Sequence, residues 1–155
     1  MKVLNVLWWF VYTSFALFLQ IYTVGVDFFI PGIIVALQEK RIWQTSIVLG
    51  IFIVIQEGIG TMPFGNVFLW YSLTIIFFYA WRWFFEVESL MFILLLSLAL
   101  SVSHYFIVSV LASVQDIYID YNALRDECVY QMLLTPIIWH AISYLRKGLR
   151  NAQQD

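Results

Sequence analysis

Charged side chains are scarce in this sequence: Asp, Glu, Lys and Arg make up 12% of its 155 residues, against about a quarter in a soluble domain. A single cysteine, Cys128, excludes an intramolecular disulfide and a metal site made of cysteines alone. The basic residues form no patch with interleaved aromatics, so we expect no nucleic-acid binding. HExxH, P-loop and GxSxG motifs are missing, as is a pair of carboxylates spaced for acid–base work. The sequence therefore predicts neither an enzyme nor a cofactor or metal site.

Hydrophobic residues, in contrast, make up 63% of the chain. A chain this short has too little interior to hide so many large side chains from water, so most of them must face lipid. Aromatic residues reach 19%, and Trp and Tyr gather near the ends of apolar stretches, as they do at membrane interfaces. We therefore predict an all-α, polytopic membrane bundle that forms one integral membrane domain.

Six apolar stretches predict about six transmembrane helices, since a span needs about 20 apolar residues. They cover residues 3–20, 24–37, 42–55, 66–81, 90–114 and 128–145. The first begins like a signal peptide, but no small-residue cleavage site follows, so we interpret it as a retained helix. The stretches 24–37 and 42–55 correspond to only ~21 Å of helix, against ~30 Å of hydrocarbon. Each therefore extends into its polar flanks, thins the bilayer, is shielded by neighbouring helices, or forms a re-entrant hairpin where its backbone is buried in protein.

The positions of the basic residues predict the orientation. With six spans and a cytoplasmic N-terminus, seven of the eight Lys and Arg residues fall on the cytoplasmic side, and only Arg125 falls outside. This bias follows the positive-inside rule, so we expect both termini to be cytoplasmic. The basic residues at the end of the chain, Arg146, Lys147 and Arg150, are expected to reach anionic headgroups.

The stretch 56–65, Gln-Glu-Gly-Ile-Gly-Thr-Met-Pro-Phe-Gly, separates the third and fourth predicted helices. Gly60 and Gly65 permit a positive φ, and Pro63 prevents a continuous helix. Glu57 stands at the membrane edge beside this break, where its carboxylate can accept hydrogen bonds from backbone N–H groups or cap the fourth helix. Two interpretations remain open: an ordinary tight turn with a solvated carboxylate, and a shaped element for packing or docking.

Two further ionisable residues fall in or beside apolar stretches. Asp27 opens the second stretch, either as a first-turn anion that favours the helix N-terminus or as a charge buried in the bundle that pairs across helices. Because Asp27 and Glu57 are expected on the same side, they are candidates to face one outer cavity. His104 shares a helical stripe with Ser97 and Ser101. Such a stripe serves close helix packing, but a histidine at membrane depth is also a candidate for proton or substrate handling.

The stretch 24–73 resembles the MreD family of bacterial rod shape-determining membrane proteins. In that family a Pro-Asp pair opens an apolar second helix and a short basic loop follows. An apolar helix with a glycine then leads to a turn of the type Asp-Leu-x-Ser-Gly-x-Pro-Leu-Gly. Here Val26-Asp27 stands at the first position, Lys40-Arg41 forms the basic loop, and residues 57–65 align with the turn on its Pro-x-Gly end. Length, helix number and orientation agree across nearly the whole chain.

The resemblance continues in the last helix, where Leu134-Thr135-Pro136 precedes the basic tail. Three positions depart from the family pattern. Val26 replaces the proline, Glu57 replaces the aspartate, and Gly60-Thr61 replaces the Ser-Gly pair. The turn therefore keeps an acidic residue, Glu57, and a glycine that leaves the backbone flexible, Gly60. A site that requires the shorter side chain of aspartate would be altered.

The resemblance implies a non-enzymatic scaffold in the bacterial inner membrane that helps to control cell shape during side-wall peptidoglycan synthesis. Its implied partners are an MreC-like bitopic protein, a RodA-type glycosyltransferase and a class B penicillin-binding transpeptidase. An alternative is the small six-helix substrate-binding subunit of an energy-coupling-factor-type vitamin importer. There Trp70, Tyr71 and His104 would line a cavity open to the outside, so a lipid or small ligand in a bundle cavity is a further candidate partner.

Overall fold

The computed structural model of the chain describes residues 2–23, 25–59 and 63–151. Within these ranges the backbone forms six α-helices and no strand. The helices are α1 (Lys2–Tyr22), α2 (Phe29–Gln38), α3 (Ile42–Ile59), α4 (Asn66–Trp81), α5 (Leu90–Gln115) and α6 (Tyr121–Asn151). They pack side by side around one main apolar core, so the predicted all-α helical bundle is confirmed.

Four helices in the described part of the chain are long and apolar enough to cross a membrane: α1, α3, α5 and α6. Helix α3, predicted over 42–55, continues to Ile59, and its 18 residues correspond to about 27 Å at 1.5 Å per residue. The stretch 42–55 therefore extends into its polar flank, which was one of the alternatives given for it. Helix α4 has the bounds predicted for it, 66–81. Together these helices give the chain the form of a multi-pass membrane protein.

The second apolar stretch differs most from its prediction. A helix was expected over 24–37, but α2 begins only at Phe29 and has 10 residues, or about 15 Å. Val24 lies outside the described residues. Gly25 takes the left-handed φ of 84°, and a hydrogen bond from the Phe29 N–H to the Asp27 carboxylate holds the chain in a turn before the helix. The helix is therefore about half as long as the ~30 Å hydrocarbon layer.

Helix α2 lies at the centre of the bundle. Its nine residues from Phe29 to Leu37 are all buried, and it packs against α1, α3, α4 and α6. A helix that is apolar on every side is expected to be enclosed by others. Pro31 falls in the first turn, where its missing N–H leaves no hydrogen bond unmade. Gly32 allows the ring of Tyr12 to lie directly against the helix backbone.

Helix α6 is longer at both ends than the predicted 128–145. It begins at Tyr121 because the Asp120 carboxylate accepts hydrogen bonds from the N–H groups of Asn122 and Ala123, at 2.9 and 3.4 Å. Such a cap satisfies orphan donors of the first turn. The charged residues 125–127, expected in a loop, therefore lie on the first turns of α6, and the loop from α5 shortens to residues 116–120.

The bundle has two chemically different ends. Arg146 on α6 donates a hydrogen bond to Asn5 on α1, so the first turns of α1 and the last turns of α6 lie at the same end. This basic end carries Lys40, Arg41, Arg82, Arg146 and Lys147. The opposite, acidic end carries Glu57, Asp116, Asp120, Asp126 and Glu127. We use these two names below.

Candidate functional site

The side chain of Asp27 lies inside the bundle, with 2% of its surface exposed. Its carboxylate accepts hydrogen bonds from the Tyr71 hydroxyl at 2.6 Å and from the Phe29 N–H at 2.7 Å. The amide of Gln20 approaches it from α1, at 3.4 Å. Asp27 is therefore buried in the bundle and bonds across helices, which is one of the two roles considered for it. It is not a first-turn anion, because α2 begins two residues later and has no acidic residue in its first turn; its carboxylate instead holds the turn that precedes the helix.

Gln131 on α6 clamps the backbone of Asp27 from the other side. The Asp27 N–H donates to Gln131 Oε1 at 2.7 Å, and Gln131 Nε2 donates to the Asp27 carbonyl at 3.1 Å. The same amide donates to Thr135 Oγ1 at 2.9 Å, and the Thr135 hydroxyl donates in turn to the Gln131 carbonyl. Thr135 thus orients the clamp. We call these residues, with Gln20 and Tyr71, the Asp27 network.

The Asp27 network lies at membrane depth. Gln131 is about 22 Å from Arg146 along α6 at 1.5 Å per residue, within a hydrocarbon layer of ~30 Å. Non-helical backbone is tolerated at such depth only where protein supplies its hydrogen bonds. Gln131 supplies them at Asp27, and the Tyr12 hydroxyl donates to the Phe28 carbonyl at 2.6 Å. The network therefore allows α2 to begin inside the bundle.

Glu57 caps α4, which was one of the roles left open for it. Its two carboxylate oxygens accept hydrogen bonds from the N–H groups of Gly65 and Val67, both at 3.2 Å. Gly65 has a φ of 84°, and Pro63 is buried and accepts from the Asn66 N–H through its carbonyl. Gly60, the remaining candidate of this turn, lies outside the described residues. Asp27 is buried in the bundle, and Glu57 is hydrogen-bonded to the turn. No hydrogen bond among the described residues joins the two acids.

A second glutamine holds this turn against α5. The Phe64 N–H donates to Gln115 Oε1 at 3.2 Å, and Gln115 Nε2 donates to the Phe64 carbonyl at 3.0 Å. The geometry repeats the Gln131 clamp at an exposed position. The turn is therefore fixed from two sides, by Glu57 on α3 and by Gln115 on α5.

His104 is buried between α4 and α5, with 1% of its surface exposed. Its ring lies against the ring of Trp70 with a centroid distance of 4.0 Å, and Trp70 Nε1 donates to the Leu100 carbonyl. Neither ring nitrogen of His104 has a hydrogen-bond partner among the described residues. Ser97 and Ser101 are buried on the same stripe. This geometry favours the packing interpretation, because a proton relay needs a neighbouring donor or acceptor.

The three residues proposed to line an importer cavity fill the interior instead. Trp70 and Tyr71 are 1% and 0% exposed, and Trp70 contacts both Tyr71 and His104 ring to ring. The Tyr71 hydroxyl is engaged by Asp27. The expectation that these side chains line an open cavity is therefore wrong.

A second polar cluster, at the basic end, was not anticipated. Arg146 Nε lies 2.6 Å from Glu39 Oε1, and both side chains are nearly buried, at 9% and 6% exposure. Gln44 on α3 donates to Glu39 at 2.6 Å, and Asn5 on α1 donates to Gln44 at 2.8 Å. The guanidinium also stacks over the Trp8 ring, 4.5 Å from its centroid. This Glu39 network ties α1, α3 and α6 to the end of α2.

The electrostatics of Glu39 follow from these contacts. Burial opposes ionisation, but hydrogen bonds from Arg146 and Gln44 and the charges of Arg146 and Arg41 outweigh it, so the pKa of Glu39 lies below its ordinary value of 4.5. Arg146 was expected to reach lipid headgroups, and that expectation is wrong because its charge is paired inside the protein. Lys147 is exposed and pairs with Glu88, and the side chain of Arg150 lies outside the described residues.

Within residues 2–23, 25–59 and 63–151, no three His, Cys, Asp or Glu side chains lie close enough to hold a metal ion. Comparison with family models, curated proteins and solved structures found no match to the chain.

Proposed function

We propose that this chain is a non-enzymatic membrane scaffold of the bacterial cell-elongation machinery, similar in role to MreD proteins, and that it helps to control cell shape. The supporting observation is that polar groups inside the bundle are used to fix backbone. Asp27 and Glu57, the two acids of the MreD-like pattern, each accept hydrogen bonds from backbone N–H groups. Both acids also bond to other structural elements of the bundle: Asp27 to Gln20 on α1 and Tyr71 on α4, and Glu57 on α3 to the first turn of α4. Such a bundle offers a partner a rigid surface.

The orientation and location are part of this proposal. The basic end carries most of the Lys and Arg residues, and the positive-inside rule places such an end in the cytoplasm. Both chain ends are then cytoplasmic, and the acidic end, with the Glu57 turn, faces the outside of the bacterial inner membrane. A partner that binds the turn must reach this outer side, as a bitopic protein with an external coiled coil does.

The outer surface of the bundle supports recognition through helix faces. In the described part of the chain, nearly all residues belong to the helices or to the short loops between them, so the helix faces make up most of the surface there. Exposed apolar side chains run along α5, among them Leu94, Leu98, Val102 and Phe106. The partners we propose are an MreC-like bitopic protein, a RodA-type glycosyltransferase and a class B penicillin-binding transpeptidase.

Gentle solubilisation followed by co-purification tests the proposal. We expect a bitopic coiled-coil protein, with or without the glycosyltransferase and transpeptidase, to be retained on the tagged full-length chain. Retention of an ATPase module or of a vitamin-sized ligand would reject the scaffold and favour the importer subunit. A wild-type preparation that retains none of the three proposed partners would also reject it.

Variants of the turn test whether the acidic end is the docking element. Glu57→Gln leaves one acceptor oxygen where there were two, and Gly65→Leu places a branched side chain at a left-handed φ. Both should reduce partner retention, whereas Asp126→Asn, an exposed acid at the same end, should not. Normal partner retention by folded Glu57→Gln and Gly65→Leu proteins would show that this turn is not the docking site.

A further inference from the structure

A groove of about 730 Å³ opens at the basic end between α3 and α4, beside the end of α2. Its deep wall is apolar and its rim is polar or charged. The apolar wall includes Leu37, Leu49, Ile75 and Phe78. The polar rim includes Thr45, Ser46 and Tyr79, together with the charged residues Lys40, Arg82 and Glu86. The groove therefore has a polar rim and an apolar wall, in the same order as the headgroup and the acyl chains of a lipid.

The two cations of the rim have no counter-charge of their own. Among the described residues, neither Lys40 nor Arg82 forms an ion pair. Lys40 takes the left-handed φ of 56° that ends α2, a conformation uncommon for residues other than glycine. Arg82 lies over the ring of Tyr79, 5.3 Å from its centroid. Glu86 is the one acid lining the groove, so the rim has a net charge of about +1.

Exposed aromatic residues place the rim at the level of lipid headgroups. Trp83 and Phe84, directly after α4, are 86% and 81% exposed, and Trp43, at the start of α3, is 85% exposed. Large aromatic rings that face outward at the ends of membrane helices belong to the interface between headgroups and hydrocarbon. The apolar wall then lies at acyl-chain depth, and the cations lie where a lipid phosphate is found.

We propose that this groove binds one anionic phospholipid, with its phosphate held by Lys40 and Arg82 and an acyl chain lying against Leu49, Ile75 and Phe78. The charge of the rim selects the occupant: a net positive rim favours an anionic headgroup over a zwitterionic one. Glu86 limits that preference, because it repels the same headgroup.

Native mass spectrometry of the full-length chain in detergent, titrated with phosphatidylglycerol or phosphatidylcholine of equal acyl length, tests the proposal. We expect one phosphatidylglycerol to be retained preferentially. Lys40→Gln and Arg82→Gln should each weaken its binding about fivefold, the usual effect of one basic residue at an anionic membrane surface. Glu86→Gln should strengthen binding by a similar factor. Arg41→Gln, which removes an exposed cation next to the groove, is the matched control and should change little.

A second pair of variants tests the apolar wall without changing charge. Ile75→Trp fills the groove and should abolish retention, whereas Ile76→Trp, on an outward-facing position that is 57% exposed, should not. Equal retention of the two lipids, an Arg41→Gln effect as large as that of Lys40→Gln, or full binding by a folded Ile75→Trp protein would each overturn the proposal.

Discussion

The hydroxyl of Tyr71 donates a 2.6 Å hydrogen bond to the carboxylate of Asp27, and this bond joins the middle of α4 to the turn that precedes α2. Both side chains are buried. The short central helix α2 cannot cross the membrane alone, so the position of its first residue depends on the groups that hold this turn. Asp27 and Gln131 supply most of them.

Replacing Asp27 by Ala should lower the free energy of unfolding by about 1–3 kcal/mol, the cost of leaving buried donors unpaired. The Tyr71 hydroxyl and the Phe29 N–H would both lose their acceptor. Unfolding of the purified protein in mixed micelles by an SDS titration measures the change. Asp126→Ala is the control, because that acid is exposed and, among the described residues, pairs with its neighbour Arg125 alone. Equal stability of the two variants would contradict the role assigned to Asp27.

The two glutamine clamps have the same geometry, but one is buried and the other is exposed. Removing each in turn therefore measures how burial changes the contribution of such a clamp to stability. Gln131→Leu removes a buried clamp. Because Gln131 is only 3% exposed, the backbone groups that it serves would be left unpaired, and we expect a loss of about 1–3 kcal/mol. Gln115→Leu removes a clamp of the same geometry at an exposed site, where water takes over the hydrogen bonds, and the loss should be below about 1 kcal/mol. The same SDS titration measures both losses. A larger loss for Gln115→Leu would show that the buried clamp does not contribute more to stability than the exposed one.

The two ion pairs at the basic end should differ sharply in their effect on stability. Glu39→Gln leaves the nearly buried Arg146 without its anion and is expected to cost about 3–5 kcal/mol. Glu88→Gln disrupts the Lys147 pair, in which both side chains are about half exposed, and should cost less than about 1 kcal/mol. Thermal unfolding in detergent at pH 7 checks both values. A small effect of Glu39→Gln would mean that Arg146 finds water or lipid in place of Glu39.

The depressed pKa of Glu39 predicts how stability depends on pH. Its carboxylate is ionised in the folded chain at pH values where the unfolded chain is protonated, because its folded pKa lies below 4.5. The stabilisation from this group is therefore complete above about pH 4.5 and is lost as the pH falls through the folded pKa. Melting temperatures measured between pH 7 and pH 3 should decline at the acidic end of that range. Glu39→Gln should flatten the decline, and an unchanged profile would exclude Glu39 as its source.

Hydropathy was sufficient to predict the helices whose ends coincide with a change from apolar to polar residues. The predicted bounds of α4 agree with the structure, and those of α1 and α5 differ by one or two residues. Helix α6 was predicted too short because the cap from Asp120 lets charged residues continue the helix outside the hydrocarbon. Helix α2 was predicted too long because its start depends on hydrogen bonds from α4 and α6, which no local pattern contains.

The sequence indicated some residues of the candidate site and missed others. Asp27 and Glu57 stood out because an acid beside an apolar stretch is rare, and the local glycine–proline turn indicated what Glu57 would cap. Gln131 carries no charge and lies 104 residues from Asp27, so its role followed only from the packing of α6. Arg146 illustrates the limit of charge patterns, because a basic residue near the chain end looks the same whether it meets a headgroup or a buried Glu39.

Gly65 should not tolerate a side chain, for a reason that concerns its backbone and not its surroundings. An added Cβ would meet no atom within 4 Å, but the residue has a φ of 84°, which costs an L-residue roughly 1–2 kcal/mol. Gly50 in α3 also has open space around its Cβ position, and its helical backbone suits alanine, so Gly50→Ala should stabilise the chain by roughly 0.5–1 kcal/mol. Gly65→Ala should therefore lower the free energy of unfolding while Gly50→Ala raises it. Parallel SDS titrations of the two variants check this opposition of sign, and a stabilising Gly65→Ala would show that the turn before α4 does not need its left-handed residue.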